Sequence, residues 1–288
     1  GIGGISMSGL AEVLLEEHFT ISGSDNKRSP LTEQLEKAGV TIFYGQKASN
    51  IIEGIDVVVY TAAIHEDNEE YQAAVQKGLP MLSRAELLGQ LMTNYDTPIA
   101  VSGTHGKTTT TSMLSHILLS AEMDPTISVG GILKAIGGNI RVGNSEIFLT
   151  EACEYTNSFL HFFPKIGVIL NIDEDHLDFF KDLADIRHSF RKFAELLPAD
   201  GTLVINGEIP ELHEITDGLA CRVVTYGPDS SYDYSATNIL HDQIGEASFD
   251  FVKNGEFVTR IALSVNGDHN VSNALAALAV ADILKIDP

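Results

Sequence analysis

The stretch Val101-Ser-Gly-Thr-His-Gly-Lys-Thr-Thr-Thr110 restricts what this chain can fold into more than any other. The β-branched run Ile99 to Ser102 reads as a strand, the residues after Gly106 read as a helix, and the glycines between allow a tight turn. Such a turn presents a row of backbone N–H groups, at the positive end of a helix, to whatever lies in front of it. An anion fits there. Lys107 adds a mobile positive charge suited to the β and γ phosphates of a nucleotide, and the Thr108 hydroxyl suits Mg²⁺. Gly103, Thr104, His105, Gly106 and Thr109 complete the loop. Val101 stands where a phosphate loop usually carries glycine, five residues before Gly106.

Around this loop the chain alternates short apolar runs with amphipathic stretches, the pattern of parallel sheets wrapped by helices. Before residue 97 the spacing predicts strands over Val40–Tyr44, Asp56–Thr61 and Leu79–Leu82, with helices over Pro30–Ala38, Asn68–Lys77 and Arg84–Met92. The polar break Asn94-Tyr-Asp-Thr-Pro98 reads as a domain boundary. Beyond it come strands over Glu146–Thr150, Ile166–Asn171, Thr202–Asn206 and Cys221–Tyr226, and a helix over Leu183–Leu196. Tyr232 to Val265 then alternates apolar and polar residues about Asn254-Gly255, a type I′ hairpin signal, and an Ala-rich helix follows over Asn270–Lys285.

Three further constellations carry chemistry. Gly1-Ile-Gly3-Gly4-Ile-Ser6-Met7-Ser8-Gly9 opens an apolar helix and suits a diphosphate, with Asp25 about 20 residues on, where a ribose-reading acid would sit. Glu151 and Glu154 close one strand, and Asp173-Glu-Asp-His176 closes the next. Oxygen donors with one imidazole suit Mg²⁺ or Mn²⁺ beside a triphosphate. Asn270 and Asn273, three apart at a helix start, can turn their amides the same way toward an adenine edge, although asparagine there also serves as a cap.

Composition removes other classes. A net charge of −22 over 288 residues repels nucleic acid and anionic membranes. No apolar run is long enough to span a bilayer, so no membrane insertion is expected. Two cysteines, Cys153 and Cys221, give neither a disulfide framework nor a thiolate metal cage, and a cytoplasmic setting fits them.

Taken together, GIGGISMSGLAEVLL, YTAAIHEDNEEY, LSRAELLGQLM, SGTHGKTTTTSML, EACEYTNSFL, ILNIDEDHLD and GDHNVSNALAALAVA resemble, in order over nearly the whole chain, the Mur ligase family and its alanine-adding branch. The resemblance implies an α/β fold. An N-terminal Rossmann-like parallel-sheet domain over residues 1–97, lacking its first strand, would precede a P-loop ATPase-type central domain over 98–288 with a small antiparallel β subdomain. A third domain, which binds the incoming amino acid, would be absent. The implied activity is ATP-dependent ligation of L-alanine to the lactyl carboxylate of UDP-N-acetylmuramate through an acyl phosphate, in peptidoglycan precursor synthesis. Such a piece would bind nucleotide ligands but turn over poorly.

Carried over by position, Lys107, Glu151 and His176 would be catalytic, and Thr108, Glu151 and His176 would ligate Mg²⁺. Gly103 to Thr109 would hold ATP with Asn270 and Asn273. Gly1, Gly3, Gly4, Ser6, Met7, Ser8, Asp25, Thr61 and Arg84 would hold the UDP-sugar. The sequence departs from the family at Ser6, where glycine is usual, at Asp268, where arginine commonly precedes the His-Asn pair, and at EACEY in place of EADES. A stand-alone P-loop ATPase or kinase would leave the N-terminal glycine turn idle. A nicotinamide-dependent dehydrogenase would leave Gly106-Lys107-Thr108 idle, and a non-catalytic nucleotide-binding module is the third rival.

Overall fold

The computed structural model describes residues 1–287. The chain leaves the opening glycine turn as helix α1 (Ile5–Glu16), whose inward face is Ser8, Gly9, Leu10, Ala11 and Val13. Strand β1 (Ser22–Asp25), helix α2 (Pro30–Lys37) and strand β2 (Thr41–Tyr44) follow, with β1 and β2 parallel and Ser22 opposite Thr41. Pro30 in the first turn and a reciprocal Ser29–Thr32 capping box fix where α2 starts. Strand β3 (Val58–Tyr60), helix α3 (Glu69–Gln76) and strand β4 (Met81–Ser83) repeat the unit, again with parallel strands. Helix α4 (Arg84–Met92) begins directly at β4, where Ser83 and Glu86 cap it reciprocally. The expected N-terminal sheet is thus two separate parallel pairs, β1–β2 and β3–β4.

The rest of the chain builds one ten-stranded sheet. Its elements are β5 (Thr97–Ser102), α5 (Lys107–Ser120), β6 (Thr126–Leu133), β7 (Gly138–Arg141), β8 (Ile147–Ala152), β9 (Ile166–Ile169), α6 (Leu183–Glu195), β10 (Thr202–Asn206), α7 (His213–Thr216) and β11 (Arg222–Gly227). Then come β12 (Tyr234–His241), β13 (Glu246–Lys253), β14 (Glu256–Asn266) and α8 (His269–Ile283). The strand order is β14-β13-β12-β11-β10-β9-β5-β8-β6-β7. β5 lies between β8 and β9 and parallel to both, so the residues that end these three strands emerge together. The antiparallel strands β12 to β14 extend this sheet through the parallel pairs Tyr226–Tyr234 and Gly227–Ser235; they do not stand apart from it.

Both faces of the sheet are covered, which is why β5 reads as an unbroken apolar run. Ile99 and Val101 join the core made with Leu114, Leu118 and the alanines of α8, while Ala100 joins the opposite core with Phe190 and Phe193 of α6. That second core also takes in Leu10 and Val13 of α1 and Ala85, Leu87, Leu88, Leu91 and Met92 of α4. The N-terminal helices are therefore built into the hydrophobic interior of the larger sheet. Two close approaches seat them: a Cβ on Gly9 would lie 2.9 Å from Ile140, and one on Gly89 would lie 1.9 Å from the His161 carbonyl oxygen. Only glycine allows helix and neighbour that near.

Candidate active site

Where β5 ends, Gly103 and Gly106 adopt φ of +143° and +85°, a region that L side chains avoid. A Cβ on Gly106 would also lie 2.5 Å from Asn273 Oδ1. Asn171, just past β9, pins the turn between them. Its Oδ1 accepts from His105 N at 2.7 Å, and its Nδ2 donates to His105 O at 3.0 Å. Thr104 is buried, and its hydroxyl accepts from Asp173 N at 2.9 Å. The Thr104 hydroxyl and the His105 N–H thus anchor the loop to its neighbour. The N–H groups left for an anion are those at the start of α5, beginning with Lys107 and Thr108.

Lys107 folds back over the loop. Its Nζ donates to the Gly103 carbonyl, to Thr104 O at 3.1 Å and to Glu154 Oε2 at 3.0 Å. Glu154 is only 2% exposed, so this ion pair is largely removed from water. On the other side of the loop, Glu151 Oε2 accepts from Thr108 Oγ1 at 3.1 Å and Oε1 accepts from Gly130 N at 2.6 Å. Burial pushes the Glu151 carboxyl above its ordinary range, opposed by those two bonds and by the Lys107 charge. A carboxylate so placed gains from a further cation.

The structure separates one of the expected ligands from the other two. His176, held at φ +52°, places Nε2 3.8 Å from Glu154 Oε1 and sets its ring against Tyr155, tilted by 35° at 4.6 Å between centroids. It belongs to the Glu154 and Lys107 arm, whereas Thr108 and Glu151 form the other. Among the described residues no three His, Cys, Asp or Glu side chains gather as a ready metal cage. Asn273 Nδ2 donates to Asn270 Oδ1 at 3.0 Å, and Asn270 Nδ2 donates to Asn266 O at 2.8 Å. Both amides are buried; these bonds engage both ends of the Asn270 amide, and Asn273 lies against Gly106.

A second site opens at the N-terminal turn. A cavity of about 650 Å³ is lined by Gly1, Gly3, Gly4, Ser6, Met7, Asp25, Thr61 and Arg84, together with Lys27 and Ser29. Asp25 Oδ2 accepts from Gly3 N at 2.8 Å, so this carboxylate braces the glycine turn itself. Ser8 does not reach the cavity. It is 2% exposed and donates to Ile5 O at 3.0 Å, because its place on α1 faces the protein interior.

Residues 1–96 match the model described as "Mur ligase family, catalytic domain", and residues 101–281 match "Mur ligase middle domain". This chain belongs to the Mur ligase family. It is 61% identical over 287 residues to the UDP-N-acetylmuramate--L-alanine ligase of Agathobacter rectalis, covering 100% of this chain and 62% of that relative. A Neisseria meningitides Mur ligase, UDP-N-acetylmuramate:L-alanyl-gamma-D-glutamyl-meso-diaminopimelate ligase, superposes with a TM-score of 0.89 at 31% identity, over 100% of this chain and 93% of that one. The Thermotoga maritima UDP-N-acetylmuramate-alanine ligase superposes with a TM-score of 0.82 at 31% identity, over 100% and 64%.

In this chain, sequence reasoning passed over Lys27, Ser29, Gly130 and Asn171. Gly130-Gly131 did carry a signal, since paired glycines inside a strand mark a close approach of another group. That group is Glu151, whose Oε2 would lie 2.7 Å from a Cβ on Gly130.

Proposed function

We propose that this chain is the nucleotide-binding part of an ATP-dependent ligase that joins L-alanine to the lactyl carboxylate of UDP-N-acetylmuramate, in cytoplasmic peptidoglycan precursor synthesis. Residues 1–97 would take the nucleotide sugar and residues 98–288 the ATP. The chain spans about 62% of the length of the 61% identical relative whose name carries this activity. A carboxylate is a poor electrophile, so its oxygen is converted to a leaving group by phosphorylation, and the amine of L-alanine displaces phosphate from the acyl phosphate. No side-chain nucleophile is required.

The observation that carries this reading is the presence of two anion cradles in one body. The glycine turn at the head of α1 fronts one cavity, the turn at the head of α5 fronts the other site, and α1 and α4 share a hydrophobic core with the sheet that bears α5. Lys107 would neutralise charge on the phosphates as it moves onto the leaving oxygens. Thr108 and Glu151 are oxygen donors already joined at 3.1 Å, and with a desolvated carboxylate they fit Mg²⁺ or Mn²⁺. A bound divalent ion would add charge neutralisation there. His176 would complete this role from the Glu154 side, Asn273 and Asn270 would border the adenine end, and the cavity residues from Gly1 to Arg84 would hold the UDP-sugar.

Calorimetric titration of the chain with UDP-N-acetylmuramate, then with a non-hydrolysable ATP analogue and Mg²⁺, tests both sites, and two independent binding events are expected. Phosphate release that requires both UDP-N-acetylmuramate and L-alanine, measured in a chain extended to its relatives' length, tests the reaction. Phosphate release indifferent to either substrate would reject it.

A further inference from the structure

Arg84 opens α4 and lines the N-terminal cavity beside Thr61, Ala62 and Ala63. Arg28, Arg141, Arg187, Arg191 and Arg260 each meet a carboxylate. Among the described residues Arg84 has no such partner, as is also true of the exposed Arg222, and the Cys153 thiol acts on the Arg84 guanidinium. This occurs in a chain with 40 acidic and 18 basic residues, where finding a carboxylate is easy. Burial also depresses the guanidinium's proton affinity. A half-buried cation without a counter-ion is unfavourable and is relieved when an anion arrives.

The position of Arg84 says which anion. On the nucleotide-sugar reading, the diphosphate takes the backbone turn Gly1 to Gly4 at the head of α1. Arg84 enters the cavity from a different helix. α4 packs by Gly89 onto the carbonyl of His161, the last residue of the 3-10 segment Tyr155–His161. Cys153, the neighbour of Arg84, is followed by Glu154, which holds Lys107 of the phosphate loop. Arg84 is thus the cavity residue linked, through Cys153 and Glu154, to the segment that holds Lys107. A planar guanidinium matches a carboxylate with two parallel hydrogen bonds.

Resting on the nucleotide-sugar reading above, we infer that Arg84 is the carboxylate-recognising residue of this cavity, receiving the acid group borne on the sugar and presenting it toward the phosphate loop. The diphosphate turn gives affinity for any nucleotide sugar, and Arg84 gives preference for one that carries an acid.

Calorimetry with three ligands on the chain and its variants tests this. The ligands are UDP, UDP-N-acetylglucosamine, which lacks the lactyl acid, and UDP-N-acetylmuramate, which has it. Wild type is expected to bind all three and to favour the last. Arg84→Gln should weaken UDP-N-acetylmuramate by about 10- to 100-fold, the size of a lost charge-assisted pair, while UDP and UDP-N-acetylglucosamine change less than about threefold. Arg84→Lys keeps the charge but not the fork and should recover part of the preference; it also serves as the test variant should Arg84→Gln fail to fold. Equal weakening of all three ligands would make Arg84 a diphosphate contact, and no weakening would make it structural; either result overturns the inference. Failure of wild type to bind UDP at all would instead sink the nucleotide-sugar reading beneath it.

Discussion

Gly130→Ala probes the proposed metal site without touching a proposed ligand. Gly130 does not occupy the positive-φ region, so alanine costs little in backbone conformation there. Its Cβ, however, would stand 2.7 Å from Glu151 Oε2. Ordinary contact begins near 3.4 Å, so the carboxylate must retreat by roughly 0.7 Å. That movement stretches the 2.6 Å bond from Gly130 N and the 3.1 Å bond from Thr108 Oγ1. Displacing the group that orients a metal ligand lowers metal affinity by about 10- to 100-fold. Mn²⁺ titration in the presence of a non-hydrolysable ATP analogue reads this directly, with UDP binding as the control for folding. Manganese affinity unchanged from wild type, in a variant that binds UDP normally, would refute the role given to Glu151.

Lys107→Ala should abolish binding of the ATP analogue while leaving affinity for UDP-N-acetylmuramate within about threefold, as seen by calorimetry. It should also lower stability by about 3 kcal/mol, because it strands the buried Glu154 charge, and adding Glu154→Gln should restore the melting temperature but not ATP binding. Glu151→Gln should remove the metal dependence of ATP-analogue binding. Burial raises the Glu151 pKa in the folded chain, so its stabilising contribution is complete below the ordinary value of 4.5 and is lost as pH rises through the raised one. The glutamine variant should therefore melt at or above wild type at pH 7, without metal, and the difference should vanish toward pH 4; a lower melting point at pH 7 would contradict this. Asn171→Ala removes both bonds to His105 and should weaken ATP-analogue binding by about tenfold with no effect on UDP, which calorimetry would detect.

Much of the fold was legible because local chemistry and tertiary structure agree. α4 runs over Arg84–Met92 as its periodicity and the Ser83–Glu86 spacing require, and Asn254-Gly255 takes φ of +50° and +81° in the hairpin between β13 and β14. β1 was not anticipated, since Ser-Gly-Ser-Asp has no strand preference and is extended by its pairing with β2. β6 and β7 were also missed: Gly130-Gly131 interrupts the apolar alternation of β6, and the shape of the glycines serves Glu151 instead. At the site, the places of Lys107 and Thr108 at the head of a helix and of Glu151 near a strand end were readable. Which acid meets which cation was not, because Glu151 in β8 and Glu154 two residues past its end are close in sequence, while only Glu154 reaches Lys107 and His176. Ser8 misled for a related reason: a hydroxyl beside a glycine turn is on the ligand side only when its place on the helix points outward.

The seating of α4 has a consequence for handling the molecule. Its leucines, with Met92, lie in the same interior as Phe148 of β8 and Phe159 and Phe162 of the segment after it. Cutting the polypeptide near residue 97 would leave a greasy stripe on each half, so separately expressed halves should be sticky and poorly soluble. Intact, the two halves should melt together in a single cooperative step.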